Sequence, residues 1–396
     1  MFHHVDAYAG DPVLTLFEAY QRDPRPNKVS LSIGIYQDDA GRVPLLDLVR
    51  RIEVTLAGEG LTRAYLAMEG MPSYREHVQR LIFGADCAAL QARRIVTIQT
   101  IGGSGALKVG ADFLQRYFPN AGVWVSDPTW DNHRAIFEGA GFVVGDYPYY
   151  DANTGAVRFT EMLAKISSLP QHSVVVLQPC CHNPTGMDLA RAQWRQLVPV
   201  LVQKRLIPFL DIAYQGFGEG IEDDAWEVRE LAASGASFLL ANSFSKNLAL
   251  YGERCGGLSV VCPDEEQALG VLGQLKFAVR RNYSSPPTHG AQLVTRLLAD
   301  AQLSAEWYAE VARMRERMQA MRRQLHDVIS ARIAGRDFSY LIKQRGMFSY
   351  TGLSPQQVDA LRERHAVYLV RSGRLCVAGL NTANVDYVAQ SMAAVM

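Results

Sequence analysis

The chain has 396 residues, no formal net charge, 48% hydrophobic residues and 20% charged ones. This is room for two domains, or one large domain with a smaller companion, in an ordinary globular protein. The neutral balance gives no electrostatic footprint for nucleic acid or an anionic membrane, and no run reaches the roughly 18 apolar residues of a membrane span.

Met1 to Asp6 has no basic region followed by an apolar core, so no secretory signal is read there. The six cysteines form no C-x-x-C pair, and the adjacent Cys180 and Cys181 make a poor disulfide, so reduced thiols in a cytoplasmic enzyme are expected. His3-His4 has no partner ligands nearby, and no metal site is expected.

Residues 1–30 are irregular apart from one short helix after Asp11-Pro12, and the start reads as an arm that packs on another subunit. Residues 30–36 alternate like a strand and include Gly34, and 45–61 read as a helix closed by Gly58 and Gly60. A helix over 73–83 and a strand over 95–98 follow. The Gly102-Gly103-Ser104-Gly105 turn then opens a helix over 106–117. A strand, glycine turn and helix make a phosphate cradle from free backbone N–H groups and the helix dipole. The dinucleotide pattern G-x-G-x-x-G fails here, because Lys108 occupies the third position.

Strands are expected at 123–125, 173–177, 207–210, 238–241 and 258–262, with helices at 133–139 and 189–204. That alternation argues for a mainly parallel α/β sheet. Polar groups gather just after these strands: Trp130, Asn183, Asp211, Tyr214, and then Ser243-Phe244-Ser245-Lys246 with Arg254 eight residues on. Open α/β sheets bind ligands at the C-terminal ends of their strands. Residues 281–290 read as a loop. Residues 291–333 read as long helical patterning with Met314, Met318, Met321 and Leu325 as a core stripe, and 334–396 as α+β.

Lysine is scarce, seven against 33 arginines. One at a strand end, beside two serines and an arginine, is a candidate for attack on a carbonyl, since burial and cationic neighbours free its amine. The serines and the guanidinium suit a phosphate. A solvated surface lysine is the competing reading.

Taken together, Tyr65 in Arg-Ala-Tyr-Leu, the Gly102 to Gly105 turn, Trp130, Asn183-Pro184-Thr185-Gly186, Asp211 to Tyr214, Ser243 to Arg254, and Gly373-Arg374 resemble the class I aminotransferases of the aspartate and aromatic type, over nearly the whole chain. The resemblance implies pyridoxal 5′-phosphate (PLP) and the fold type I architecture. That architecture has a mainly parallel sheet in a large domain (41–313), a smaller α+β domain built from both chain ends (11–40 with 314–396), and an arm (1–10). It implies that Lys246 holds PLP as an imine and shuttles the proton. Asp211 would pair with the pyridinium nitrogen, and Tyr214 and Asn183 would donate to the ring oxygen. Gly103, Ser104, Ser243, Ser245 and Arg254 would hold the phosphate, with Trp130 stacked on the ring. Tyr65 would reach the phosphate of the neighbouring subunit, which implies a homodimer with shared sites. Arg374 would grip the substrate α-carboxylate, with Gly34, Trp130 and Asn183 alongside. Arg280 would reach across the dimer to a dicarboxylate side chain.

Two departures stand out. Gln178-Pro179 replaces a His-Gly or His-Ala whose histidine supports the cofactor aspartate, and Gln178 is expected to donate to Asp211 instead. Asn247-Leu248-Ala249-Leu250 replaces Asn-Phe-Gly-Leu. At the periphery, Ser104 and Ser285 resemble members that accept aromatic substrates. The expected reaction is ping-pong transamination between an aromatic amino acid, or a broader set including aspartate and glutamate, and a 2-oxo acid such as 2-oxoglutarate. A PLP lyase or decarboxylase needs no second carboxylate grip, so Arg280 with Arg374 argues against it. A non-catalytic PLP-binding regulator usually carries a DNA-binding module, and no segment is spare for one.

Overall fold

The computed structural model describes residues 1–7 and 10–396; Tyr8 and Ala9, inside the expected arm, lie outside the described residues. The chain divides into two compact units, Pro44–Glu316 and the combination of Met1–Val43 with Arg317–Met396. The expected boundaries at 40/41 and 313/314 fall three residues from these, and the expected arm, 1–10, is not divided from the smaller unit.

The larger unit is built on a seven-stranded sheet. Its strands are β1 (Ile95–Ile101), β2 (Val123–Asp127), β3 (Val144–Pro148), β4 (Val174–Leu177), β5 (Ile207–Ile212), β6 (Phe238–Ser243) and β7 (Cys255–Val261). The spatial order is β1-β7-β6-β5-β4-β2-β3. β4, β5 and β6 run parallel at the centre, with Val174 opposite Ile207 and Asp211 opposite Ala241. Val174 to Leu177 are all buried, as a strand covered on both faces requires.

Helices cover that sheet. α1 (Gly102–Tyr117) buries Ala106, Leu107, Val109, Ala111 and Leu114 against it. These join Phe137, Phe209, Leu239 and Leu258 in one apolar core. α2 (Asp131–Glu138) contributes Phe137, and α3 (Arg191–Gln203) contributes the fully buried Trp194. α4 (Glu265–Asn282) starts at Asp264, whose carboxylate accepts from Gln267 N at 2.8 Å.

The sheet is mainly parallel, as expected, with β7 antiparallel to both of its neighbours, β1 and β6. Other expectations change. α1 begins at Gly102 itself, four residues before the expected start. The long helical pattern over 291–333 is two helices, His289–Ala299 and α5 (Ala301–Arg332). Asp300 separates them, its carboxylate accepting from Gln302 N at 2.8 Å and Leu303 N at 3.0 Å as an N-cap does.

In the smaller unit the expected strand over 30–36 is only Val29–Ser30, paired parallel with Val367–Tyr368. The run bends away where Ile35 N donates to Ile33 O at 2.9 Å, a tight turn that ends ladder pairing. Phe348–Tyr350 pairs antiparallel with Arg374–Cys376. Tyr340–Lys343 is a helical turn, and Pro355–His365 and Val385–Val395 are helices. Among the described residues no helix is long and apolar enough to cross a membrane.

Candidate active site

The parallel strands deliver six functional side chains to one sheet edge. β5 ends at Asp211 and Ile212 and leads to Tyr214. β4 leads through a turn to Asn183, and β6 leads to Ser243, Ser245 and Lys246. Lys246 Nζ lies 5.2 Å from the centre of the Tyr214 ring. Burial lowers the lysine pKa from its ordinary value; the nearby Asp211 carboxylate opposes that shift and Arg254 adds to it. A lysine so placed yields its proton more readily than a surface one and has a nucleophilic amine.

Asn183 Nδ2 donates to Tyr214 Oη at 3.4 Å, joining the two donors expected at a ring oxygen. The partner of Asp211 differs from the expected one. Gln178 makes a two-way pair with the Asn183 backbone, Nε2 donating to Asn183 O at 3.0 Å and Oε1 accepting from Asn183 N at 2.8 Å. The residue on Asp211 is His133, whose Nε2 lies 3.0 Å from Oδ2. Thr129 Oγ1 meets His133 Nδ1 at 2.8 Å, and the Trp130 ring stands edge-on to the imidazole at 5.3 Å. Sequence reasoning missed His133 because its partner is 78 residues away. The local signal was a histidine in the first turn of a helix that follows a strand end.

Beside Lys246 is an anion cradle. The N-terminal turn of α1 carries Gly102, Gly103 and Ser104. Ser243 and Ser245 are buried with their hydroxyls 3.0 Å apart, and Arg254 Nη1 donates to Ser245 Oγ at 3.3 Å. Gly102 has φ +71°, and a Cβ there would sit 2.6 Å from Arg254 Nη2; a Cβ on Gly103 would touch Ser243 Cβ at 3.4 Å. The glycines thus keep open the space the guanidinium uses. Tyr65, Arg254 and Arg280 line one cavity of about 1170 Å³, with Arg63, Glu253 and Lys276 on its wall. Tyr65 is 97% exposed, and Arg280 Nη1 donates to Ser284 Oγ at 2.5 Å.

Gly34 and Arg374 belong to the smaller unit. Arg374 is 8% exposed, its Nη2 donates to Ser32 O at 2.8 Å, and its guanidinium lies 4.5 Å from the Phe348 ring centre. A Cβ on Gly34 would fall 2.7 Å from Phe348 Cζ, so glycine is what lets the chain pass that ring.

This donor set fits pyridoxal phosphate. A phosphate dianion calls for hydroxyls, a guanidinium and a helix N-terminus; a pyridinium nitrogen for a carboxylate; a phenolic oxygen for Tyr and Asn donors; an aldehyde for an amine.

The sequence profile of the family "Aminotransferase class I and II" matches residues 26–392. The chain is 58% identical over 397 residues to the aromatic-amino-acid aminotransferase of Escherichia coli (strain K12), covering 100% of both chains. It is 47% identical over 396 residues to the aspartate aminotransferase of Pseudomonas aeruginosa, again covering 100% of both. A solved structure of an aromatic-amino-acid aminotransferase from Burkholderia pseudomallei, covalently bound to pyridoxal phosphate, superimposes with TM-score 0.98 at 50% identity, over 100% of this chain and 99% of that one. With a buried lysine, a histidine-backed aspartate and an anion cradle at one sheet edge, and these full-length likenesses, the chain belongs to the class I and II aminotransferases and carries out PLP-dependent transamination.

Proposed function

We propose that the enzyme moves the amino group between aromatic or dicarboxylic L-amino acids and a 2-oxo acid such as 2-oxoglutarate, by a ping-pong sequence, as a cytoplasmic homodimer. The observation that carries the chemistry is Lys246, held against the Tyr214 ring with its pKa lowered by burial. The substrate range is supported by the printed activities of the full-length relatives, aromatic at 58% identity and aspartate at 47%. The dimer is supported by Tyr65, an aromatic side chain left almost wholly exposed beside Arg254 and Arg280. The cytoplasm is supported by six free cysteines.

When bound, pyridoxal phosphate supplies an electron sink for the bond broken at the donor's Cα. The residues act around it. Ser243, Ser245, Arg254, Gly103 and Ser104 hold the phosphate by charge-assisted hydrogen bonds. Asp211, with His133 fixing its orientation, holds a proton on the ring nitrogen side. Tyr214 and Asn183 would donate to the ring oxygen, and Trp130 would cover a face. Lys246 Nζ would be the amine that holds the cofactor and the base that takes the Cα proton. Arg374 grips the α-carboxylate common to both substrates by its two-pronged guanidinium. Tyr65 and Arg280 serve the second copy's phosphate and the substrate's distal carboxylate.

The test compares kcat/KM for phenylalanine, tyrosine and aspartate with 2-oxoglutarate as acceptor. Turnover of phenylalanine and tyrosine within about tenfold of aspartate (about 1.4 kcal/mol) supports the reading; aspartate alone being used would overturn the aromatic part.

A further inference from the structure

Two carboxylates, Asp188 partly buried and Asp224 buried, sit behind the turns that carry Asn183 and Tyr214, and neither has a place in the chemistry described above. Asp188 Oδ2 accepts from Cys181 N at 2.8 Å, and its Oδ1 accepts from His182 N at 2.8 Å. These are the two amides immediately before Asn183. Asp224 Oδ2 accepts from Gly216 N at 2.8 Å and Gly218 N at 2.9 Å, and its Oδ1 accepts from Glu219 N at 2.7 Å. These amides begin two residues after Tyr214. Each carboxylate therefore gathers the backbone N–H groups of one turn, as an anion does in a loop whose amides converge on it.

Both turns need such a hold. Cys181 has φ +53°, a left-handed conformation that a residue with a Cβ adopts at a cost unless its neighbours fix it. Gly216 has φ +99°, and a Cβ there would fall 2.5 Å from Val311. The turns are also tied to one another. Cys181 Sγ lies 3.9 Å from Tyr214 O, and Asn183 Nδ2 lies 3.4 Å from Tyr214 Oη. A carboxylate oxygen of Asp224 lies within 4.8 Å of the Cys180 and Cys181 sulfurs, so the anchor of one turn reaches the other.

We infer that Asp188 and Asp224 are positioning residues that set where Asn183 and Tyr214 place their donors for the cofactor's ring oxygen. The inference rests on the roles proposed for Asn183 and Tyr214. Replacing either carboxylate by its amide keeps the shape, removes the charge, and turns an NH₂ toward N–H groups that require an acceptor. The turn then relaxes and its donor backs away. Glu227 is the internal control: it is buried in the same neighbourhood, senses Asp188, Asp224 and Arg191, and among the described residues has no hydrogen bond to either turn.

The experiment follows the pH midpoint of the bound cofactor's long-wavelength absorption in the holoenzyme. Donors to the ring oxygen favour its ionised form and hold that midpoint down. Asp188→Asn and Asp224→Asn are expected to raise the midpoint and to lower kcat by tenfold or more with donor KM little changed, whereas Glu227→Gln leaves the midpoint where it is. Midpoints equal to wild type in both Asn variants, with lowered Tm alone, would overturn the inference. Amide hydrogen exchange of the unmodified holoenzyme gives a reading that needs no variant: protection of Cys181, His182, Gly216 and Gly218 well above exposed loops is expected, and loop-like exchange at all four would contradict it. Tyr214→Phe and Asn183→Ala separate the two levels. If they leave the midpoint unmoved, the parent roles fail; if they move it and the Asp variants do not, only this inference fails.

Discussion

His133 Nε2 stands 3.0 Å from Asp211 Oδ2, with both side chains buried and Thr129 closing the other side of the imidazole at 2.8 Å. The aspartate is thus held by a histidine from the helix after β2, across the sheet edge from its own strand. His133→Phe removes the partner of a buried carboxylate, which then adopts other orientations. Activity is expected to fall about tenfold to a hundredfold, the range for losing a group that orients a functional ligand. The check is kcat in single turnover with glutamate; an unchanged rate would mean that Asp211 is held by something else.

The proposed phosphate cradle predicts a loss of cofactor affinity. Arg254→Gln removes charge-assisted bonds of about 1.5–3 kcal/mol each, so the PLP dissociation constant should rise at least about tenfold. Gly102→Ala should act the same way, because the position has φ +71° and its Cβ would meet the guanidinium. Equilibrium titration of the apoenzyme checks both. The two effects should be less than additive, since each acts on the same guanidinium.

Arg374 is the proposed grip on the carboxylate that donor and acceptor share. Arg374→Lys replaces a planar fork by a point charge. KM should rise by about tenfold to a hundredfold for both the amino acid and the 2-oxo acid, in line with about 1.5–3 kcal/mol for a charged hydrogen bond. The cofactor's absorption should be untouched. A rise for one substrate only would argue for a grip on the side chain.

Glu227 gives a pH signature. Burial pushes its carboxyl from an ordinary 4.5 up to about 8. The folded state therefore prefers the neutral acid. That contribution to stability is fully present below pH 4.5 and is lost as pH rises through about 8. Glu227→Gln mimics the neutral form at every pH. The Tm difference, variant minus wild type, should grow between pH 5 and pH 9. A flat difference would show that Glu227 ionises like a surface carboxylate.

Much of this was legible in the chain. The strands that bear the site, β4, β5 and β6, are apolar runs buried on both faces, and that burial writes itself into composition. β3 was not legible because it is an edge strand, Val-Gly-Asp-Tyr-Pro, in which only Tyr147 is buried. The direction of β7 was hidden as well, since an apolar run reads the same either way. α4 was missed although Asp264 and Gln267 signal its cap. The boundary near 316 has no local mark because α5 runs through it unbroken. At the site, single residues at strand ends were readable from their chemistry. Their partners were not: His133 on Asp211 and Gln178 on the Asn183 backbone are tertiary pairings, and spacing along the chain does not encode them.

The central claim is that Lys246 carries a transaminating cofactor. Its most direct measurement is the absorption spectrum of purified protein with PLP, before and after glutamate and then 2-oxoglutarate, for wild type and Lys246→Ala. Wild type should show a long-wavelength band that bleaches with glutamate and returns with 2-oxoglutarate, and the variant should show neither that cycle nor measurable turnover. A wild-type band unmoved by amino acids, or a variant that cycles at near-normal rate, would contradict the account.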